Sequence, residues 1–390
     1  MLFYVEKENL YRPTHRTSRK TILVDTASVK DIHELEKRFK HQGSDGNEAS
    51  MLTIEVASPP WRSMREGAWY DVDPNIFADA EYRMVESDEP GSGIIRAEIT
   101  FRRSPPIDFS PFLASPQQAS IPRMGCFSGL PPRGELELVV INCGQGNWNE
   151  IRSKNHFFIY DIGASLLFNQ AQVQAIVASR NLAGDGRIGQ ITISHWDVDH
   201  YRALLELRPS DLNCISSVTV PSQIPDTATY KRTIQLLQHH SIPLRAIPPA
   251  PRPAGTGRTI ILCPHHIALP FHFYRAVPGQ SRNQAGIVVA VVGSNRTALL
   301  TGDHHYSKID SAVLPNLPSQ PLILVAPHHG GAAGALRMSN LNSFPSVEIA
   351  ISVGCNTYGH PLKNVERFLS TLQGSSPDRT DLAGSLTYKL

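Results

Sequence analysis

A run of four potential metal ligands directly after an apolar strand constrains this chain more than any other feature. The apolar stretch is Ile191–Ser194, and the next six residues contain His195, Asp197, Asp199 and His200. An amphipathic helix is predicted to follow. In such a loop, side chains two positions apart can turn to one side while adjacent ones project differently, which indicates two cations held close together. The alternative is an ordinary polar loop in which an aspartate caps the helix.

Length and composition set the broad class of protein. With 390 residues, the chain can form two domains or one large domain with an ample core. A hydrophobic content of 41% and a charged content of 18% are typical of a globular protein rather than a disordered one. The formal net charge of +2 excludes a global basic field, so any binding of nucleic acid must use a local patch.

Cysteine usage and the first residues of the chain indicate the compartment. The 5 cysteines are scattered and form no CxxC pair, so we expect buried small side chains in a reducing environment. Charged residues interrupt the apolar ones near the start, which is unlike a signal peptide. No stretch of the sequence approaches the length of a membrane-spanning helix. We therefore predict a cytoplasmic location and no membrane partner.

Prolines divide the chain into two parts. Residues 1–103 are predicted to form a small mixed α/β accessory domain of unassigned role, with a helix over Val29–His41. This domain offers a surface for a protein partner, although its aromatic residues, including Trp61, are expected in its core. Residues 104–133 contain seven prolines and are predicted to be a linker. Residues 134–390 form the second predicted domain.

In the second domain, polar side chains gather just past the ends of predicted strands, where α/β sheets usually bind ligands. Asp161 ends the strand Phe157–Tyr160, and Asp303 follows the strand Thr297–Leu300 through a Thr-Gly turn. The polar residues after two later strands are His328, His329, Asn356 and His360. Each cluster by itself is most often a turn or a surface feature. Together they predict one site at the edge of a sheet.

In this order the motifs resemble those of the metallo-β-lactamase superfamily. The matching segments are CGQGN, YDIG, SHWDVDH, the stretch Asn283–Val288, LLTGD, PHHGG and SVGCNTYGHP. They span about Leu136 to Leu372, and nothing before the proline-rich segment is covered. More narrowly, the set is similar to the hydrolase domain of competence-type DNA-uptake channel proteins, the ComEC/Rec2 group, and to their free-standing relatives. The Gly-Gln-Gly turn adds weight to this narrower resemblance.

The resemblance implies an αββα sandwich with a dinuclear metal site at one edge, holding Zn²⁺ or Mn²⁺. The implied ligands are His195 and Asp197 for the first ion, Asp199 and His200 for the second, a bridging Asp303, and His328. His329 is the alternative to His328. The resemblance further implies that Asp161 orients a ligand histidine and that Asn283 stands where lactamase-type enzymes carry another histidine. Its implied catalytic residues, as proton donors or phosphate contacts, are His329, His360 and Asn356.

The sequence also departs from the family pattern. Asn142 and Asn147 replace the two acidic residues that usually flank the glycine turn, and two further histidines directly follow Asp303. The Gly pair expected after the HxDxDH motif is replaced by Arg202-Ala203. The asparagines keep hydrogen bonding but remove charge near the site. Because the ligand set itself is intact, the sequence argues for an active protein.

The function implied is that of a nuclease or phosphodiesterase. Basic residues near the motifs could follow a phosphate backbone, or could simply form solvated faces: Arg202, Arg282, Lys308, Lys363 and Arg367. Trp196, Tyr201 and Tyr358 could stack on the bases of a single strand, or Trp196 could pack the loop. Two other classes stay open: a hydrolase of a small ester, lactone or amide on the same scaffold, and a partner-binding protein with a structural metal site.

Overall fold

The computed structural model describes residues 1–8, 20–28, 30–31, 34, 51–56, 66–72, 80–84, 97–101, 135–222, 225, 227–279, 281–354, 356 and 358–390. The predicted linker 104–133, Trp61 and most of the predicted helix Val29–His41 lie outside these residues. The chain divides into two compact units. The first comprises Met1–Gln117, Phe168–Gln172 and Ile224–Leu236, and the second comprises Gln118–Leu167, Val173–Gln223 and Leu237–Leu390. The sequence analysis did not predict that Phe168–Gln172 and Ile224–Leu236 belong to the first unit.

The first unit contains two antiparallel sheets in its described part. The four-stranded sheet has the order β3-β2-β1-β4, and the strands are β1 Leu2–Glu8, β2 Lys20–Thr26, β3 Met51–Val56 and β4 Trp69–Asp71. The other sheet pairs β5 (Ala80–Met84) with β6 (Ala97–Phe101). Both faces of β1 and β2 are buried in their central parts, since Phe3 and Val5 are 0% exposed and Tyr4 between them is 4% exposed. Strands buried on both faces lie inside a packed unit.

A buried carboxylate lies at the end of β2. Asp25 is 0% exposed and accepts hydrogen bonds from the backbone N–H of Thr26 at 2.7 Å and of Thr229 at 3.2 Å. Burial outweighs these bonds and raises the pKa of Asp25 to about 6. The folded state therefore binds a proton at Asp25 more tightly than the unfolded chain does.

This pKa shift predicts a stability that falls as pH rises. The contribution of Asp25 is fully present below the unfolded pKa of 3.8 and is lost as pH rises through about 6. The loss amounts to roughly 2 kcal/mol between about pH 4 and pH 7. Denaturant unfolding of the full chain measured across this range, with Asp25→Asn as the comparison, isolates the effect. Parallel curves for the two proteins would contradict the prediction.

The second unit is built on two seven-stranded mixed sheets. The first sheet has the order β12-β11-β10-β9-β8-β7-β20, with strands β7 Glu137–Val140, β8 Trp148–Arg152, β9 His156–Ile162, β10 Ile188–Thr192, β11 Ile215–Pro221, β12 Leu244–Ile247 and β20 Leu386–Lys389. The second sheet runs from β13 to β19 in chain order, with strands β13 Leu262–Ala268, β14 Phe271–Ala276, β15 Ile287–Val292, β16 Thr297–Leu300, β17 Leu322–Val325, β18 Val347–Ile351 and β19 Asp378–Arg379. Strands β9 to β12 are mutually parallel, and so are β16 to β19.

The two sheets pack face to face through a shared apolar core. The ring of Phe158 on β9 contacts the rings of Phe271 and Phe273 on β14, with centroids 4.7 and 6.1 Å apart. The hydroxyl of Tyr160 donates a hydrogen bond of 2.6 Å to the carbonyl of Ile287 at the start of β15. Aromatic side chains bury a large apolar area, so these contacts hold the sheets together. The bond from Tyr160 also aligns the ends of β9 and β15.

Helices lie between the strands along the chain, and two of them pack on the second sheet. The α-helices are α1 Gln170–Arg180, α2 Val198–Tyr201, α3 Pro209–Leu212, α4 Ala228–His239, α5 Tyr306–Ala312, α6 Lys363–Gln373 and α7 Thr380–Ala383. On the second sheet, α5 and α6 bury side chains that include Tyr306, Ile309, Val365 and Leu369 in a second core. The αββα architecture expected from the resemblance is thereby confirmed. None of the described helices has the length and hydropathy needed to cross a bilayer.

Glycine at position 163 allows two loops of the second unit to touch. A Cβ atom there would lie 1.7 Å from the carbonyl oxygen of Asp199 and 2.9 Å from the backbone nitrogen of Asn147. Those two groups are hydrogen-bonded to each other at 3.0 Å, and the N–H of Gly163 donates to the carbonyl of Asn147 at 2.9 Å. The backbone of the HxDxDH loop therefore rests directly on the turn after β9.

We predict that Gly163→Ala destabilises the second unit by about 3 kcal/mol or more, since the clash is with backbone atoms and only a shift of the loop relieves it. The free energy of unfolding in denaturant measures this loss. Gly286→Ala is the matched control, because its nearest neighbours would be at 3.4 and 3.6 Å, which is ordinary contact. Equal stability of the two variants would show that the loop does not rest on Gly163.

Candidate metal centre

The HxDxDH loop is fixed by a buried carboxylate behind it. Asp161, at the end of β9, is 0% exposed and has a positive φ of 57°. It accepts hydrogen bonds from the N–H of Ser194 at 2.6 Å, the hydroxyl of Ser194 at 2.8 Å and the amide of Asn147 at 2.8 Å, and its Oδ2 lies 2.8 Å from Nδ1 of His200. Since the motif loop follows β10, these bonds join the ends of two adjacent parallel strands. An aspartate in place of Asn147 would repel Asp161, which explains the amide at this position.

Two groups of side chains share His200 and lie close enough to hold a cation. His195, His200 and Asp303 form one group, and Asp199, His200 and His329 form the other, with the ligand atoms of each group within 4.8 Å of one another. Asp303 also approaches His329, since its Oδ1 lies 4.0 Å from Nε2 of that residue and 3.3 Å from Nε2 of His200. All five residues are buried. The site is therefore one continuous set of donors assembled from three loops.

The donor atoms in these groups have no hydrogen bonds within the described part of the chain. They are Nε2 of His195, His200 and His329, and Oδ1 of Asp199 and Asp303. A buried polar atom without a partner costs free energy, and native proteins satisfy nearly all such atoms. Imidazole nitrogens and carboxylate oxygens that converge in this way fit a divalent metal ion. The residues present thus fit the metal that the fold implies.

The far nitrogens of the histidines are held by hydrogen-bond partners. Nδ1 of His329 lies 2.8 Å from the carbonyl oxygen of Ser352, which only accepts, so Nδ1 carries the proton and Nε2 presents its lone pair. Nδ1 of His200 lies against Asp161, and Nδ1 of His195 lies 2.9 Å from the hydroxyl of Ser194. Such partners orient a ligand and raise its basicity.

The electrostatics of the cluster favour an ionised Asp303. Burial raises the pKa of this carboxyl, but the neighbouring His328, His200 and His195 lower it, and the net pKa is well below its usual range. For His200, burial lowers the pKa, yet Asp303 and Asp161 raise it well above its ordinary value. Burial lowers the pKa of His329. The cluster therefore presents a carboxylate at its centre.

Asp197 lies beside the two donor groups and belongs to neither, and the amide of Asn283 lies next to Asp303. Oδ1 of Asp197 forms an ion pair of 2.8 Å with Nε of Arg282, while its Oδ2 lies 3.6 Å from Nε2 of His195. The amide of Asn283 donates a hydrogen bond of 3.2 Å to Oδ2 of Asp303. The sequence analysis considered Arg282 only as a phosphate contact or as part of a solvated face. No sequence pattern predicts its pairing with Asp197, which lies 85 positions earlier in the chain.

The two adjacent histidines of the PHHGG segment have different environments. His329 is 3% exposed and takes part in a donor group, whereas the side chain of His328 is 25% exposed and its Nε2 lies 3.5 Å from Oδ2 of Asp303. Both residues have positive φ angles, 53° and 54°. This left-handed turn points the two imidazoles in different directions. The geometry thus places His329, rather than His328, among the converging donors.

His360 stands at the exposed side of the cluster. Its ring centroid is 5.1 Å from that of His328, and its Nδ1 lies 3.2 Å from the amide nitrogen of Gln145 in the Gly-Gln-Gly turn. Asn356 does not face the cluster: its Oδ1 accepts from the N–H of His360 at 3.0 Å, and its amide donates to the carbonyl of His360 at 2.9 Å. Asn356 therefore shapes the loop that carries His360. Gln145 was missed as a site residue, although the turn that contains it was part of the resemblance.

Two of the aromatic residues offered for base stacking are internal. Trp196 is 1% and Tyr201 0% exposed, and their rings pack edge to face with centroids 5.3 Å apart. The indole N–H of Trp196 donates to the carbonyl of Pro221 at 3.1 Å. The stacking prediction is therefore wrong for these two rings, which pack the loop instead. Arg202 is also buried, at 7% exposure, and donates to the carbonyl of Ser165, so it is not part of a solvated face.

The two facing mixed sheets and the histidine–aspartate cluster at their edge define the second unit as a protein of the metallo-β-lactamase fold. Competence protein ComA of Neisseria gonorrhoeae is 25% identical over 264 residues, which are 66% of this chain and 33% of ComA. The chain thus spans about a third of the length of this curated relative. No protein-family model matches the chain.

Solved structures of low sequence identity were also found. The metallo-β-lactamase fold protein YhfI from Bacillus subtilis is 11% identical, with 66% of this chain and 100% of YhfI covered and a TM-score of 0.40. The short form of human tRNase Z is 14% identical, with 62% of this chain and 92% of that protein covered and a TM-score of 0.34.

We predict that Asp161→Ala lowers the affinity for a divalent ion by roughly 10- to 100-fold, because His200 loses the partner that orients it. Competition with a chromophoric chelator measures this affinity. Asp310→Ala is the matched control. Asp310 lies on α5, is also buried, and accepts hydrogen bonds from Ser339 and Asn340. An unchanged affinity in Asp161→Ala, or an equal loss in the control, would contradict the role of Asp161.

Proposed function

We propose that this chain is a metal-dependent hydrolase that cleaves phosphodiester bonds in nucleic acid or nucleotides. The observation that carries the proposal is the convergence of five buried donor atoms without hydrogen bonds at one sheet edge. Three imidazoles and two carboxylates suit Zn²⁺, and the carboxylates also suit Mn²⁺. A protein core without a ligand would avoid such a set, because burying each of these polar atoms without a partner costs free energy.

We propose Asp199, His200, Asp303 and His329 as the main ligands, with His195 at the side of Asp303. This assignment replaces His328 with His329. It rests on the burial of His329 and on the carbonyl of Ser352, which leaves Nε2 of His329 available to a metal. A bound divalent ion supplies Lewis acidity, which activates water and polarises a phosphoryl oxygen.

His328 and His360 are proposed to act on the substrate. The two rings are neighbours at the exposed side of the cluster, and Nε2 of His328 lies 3.5 Å from the carboxylate of Asp303. An imidazole in this place can contact a phosphate oxygen or give a proton to the leaving oxygen. Gln145 holds Nδ1 of His360 and thereby fixes the direction of the ring.

Two features support nucleic acid as the substrate class. The motif order resembles that of the competence-type DNA-uptake group, and the curated relative is named a competence protein. The exposed Lys363 and Arg367 lie one turn apart on α6, which begins three residues after His360. Positive charges in such a place can bind a phosphate backbone.

The proposal predicts cleavage of single- or double-stranded DNA, RNA or a generic phosphodiester reporter in the presence of Mn²⁺ or Zn²⁺. Asp199→Ala and His329→Ala are expected to abolish both metal binding and cleavage. His328→Ala is expected to keep the metal and to lower turnover by roughly 100-fold or more, because it removes a group that acts on the substrate. His239→Ala, a change of an exposed histidine on α4, serves as the control.

Three outcomes would contradict the proposal in different ways. A metal-loaded protein that hydrolyses esters, lactones or amides but no phosphodiester would assign the same scaffold to another substrate class. A protein that binds the metal and turns over none of these substrates would indicate a structural site. Loss of the metal in His328→Ala but not in His329→Ala would reverse the ligand assignment.

A further inference from the structure

The donors around the cluster are unequal on its two sides. On one side lie Asp199, His200 and His329, whose ligand atoms are within 4.8 Å of one another, and Oδ1 of Asp303 lies 3.3 Å from Nε2 of His200 and 4.0 Å from Nε2 of His329. On the other side lie His195 and Asp197, which the resemblance assigns to the other ion, and Asn283, which stands where lactamase-type enzymes carry another histidine. Of these three, His195 belongs to the group with His200 and Asp303, whereas Asp197 belongs to neither group.

Asp197 is held by an arginine instead of by the cluster. Nε of Arg282 lies 2.8 Å from Oδ1 of Asp197, and Nη1 of Arg282 donates to the carbonyl of Trp196 at 2.7 Å. The side chain of Asp197 is 0% exposed and that of Arg282 is 14% exposed. Separating an ion pair in such a buried place leaves an uncompensated charge. Oδ1 of Asp197 is therefore paired with the guanidinium, while its Oδ2 lies 3.6 Å from Nε2 of His195.

Asn283 presents a hydrogen rather than a lone pair to the cluster. Its amide nitrogen donates to Oδ2 of Asp303, and an amide N–H is not a metal ligand. Asn283 directly follows Arg282, so one short loop both pairs with Asp197 and donates to Asp303. This loop places positive charge and a hydrogen-bond donor where a second ion would need ligands.

We infer that this site holds one divalent ion tightly, between Asp199, His200, His329 and Asp303, and that Arg282, paired with Asp197, supplies the charge of a second ion. The inference rests on the proposed metal site and revises the dinuclear expectation drawn from the resemblance. Asp197 is then a partner of Arg282 and not a ligand.

The metal content of the full chain tests this inference without any measurement of activity. The protein is saturated with Mn²⁺ or Zn²⁺, dialysed, and analysed for metal per chain by mass spectrometry. The expected content is one ion for the wild type and one for Asp197→Asn, because Asp197 is not a ligand. For Arg282→Gln we expect two ions, since Asp197 becomes free to coordinate the second. Arg282→Lys keeps the charge and is expected to hold one.

Arg296→Gln is the matched control, because Arg296 pairs with Glu348 on the second sheet and both side chains are 37% exposed. It is expected to hold one ion. Two ions in the wild type, the loss of the tight ion in Asp197→Asn, or a single ion in a folded Arg282→Gln would each overturn the inference while the proposed function stands. If Arg282→Gln does not fold, the metal contents of the wild type and of Asp197→Asn still test the inference. No ion in the wild type would overturn the proposed function as well.

Discussion

The carboxylate of Asp161 is the contact on which the whole centre depends. It lies at the end of β9 with no exposure to solvent, and it gathers the backbone and hydroxyl of Ser194, the amide of Asn147 and the imidazole of His200. Hydrogen bonds of this number offset the cost of burying a charge. These bonds hold the loop after β10 against the end of β9 and orient the imidazole of His200. Gly163 permits the close contact of the two loops that this arrangement requires.

The site is assembled by the way parallel strands end. Strands β9 and β10 are parallel neighbours in the first sheet, and β16, β17 and β18 are parallel neighbours in the second, so the loops that follow them emerge at common edges. The bond from Tyr160 to the carbonyl of Ile287 aligns the two sheets next to the site. Each motif follows a strand that ends near the site, and the motifs therefore meet there although they are far apart in the chain. The cluster is a consequence of the sandwich and does not depend on local sequence spacing alone.

The sequence predicts those parts of the fold whose local pattern of apolar residues is enough to identify a strand. Strand β16 has the predicted bounds Thr297–Leu300, because a continuous apolar run bounded by turns indicates a strand buried on both faces. Strands β8 and β11 were missed, since their polar and Ser/Thr-rich sequences are buried by tertiary contacts that no local pattern encodes. The choice between His328 and His329 depends on a left-handed turn, and the fate of Asp197 depends on an arginine far along the chain. Neither the backbone conformation of a turn nor a long-range ion pair can be read from composition and residue spacing.

The most direct measurement of the central claim is anomalous diffraction from crystals of the Mn²⁺- or Zn²⁺-loaded protein, recorded at the absorption edge of the metal. The account predicts a strong peak within coordination distance, about 2.0–2.3 Å, of Nε2 of His200, Nε2 of His329 and the carboxylates of Asp199 and Asp303. A peak elsewhere on the molecule, or no peak among these four side chains at saturating metal, would contradict it.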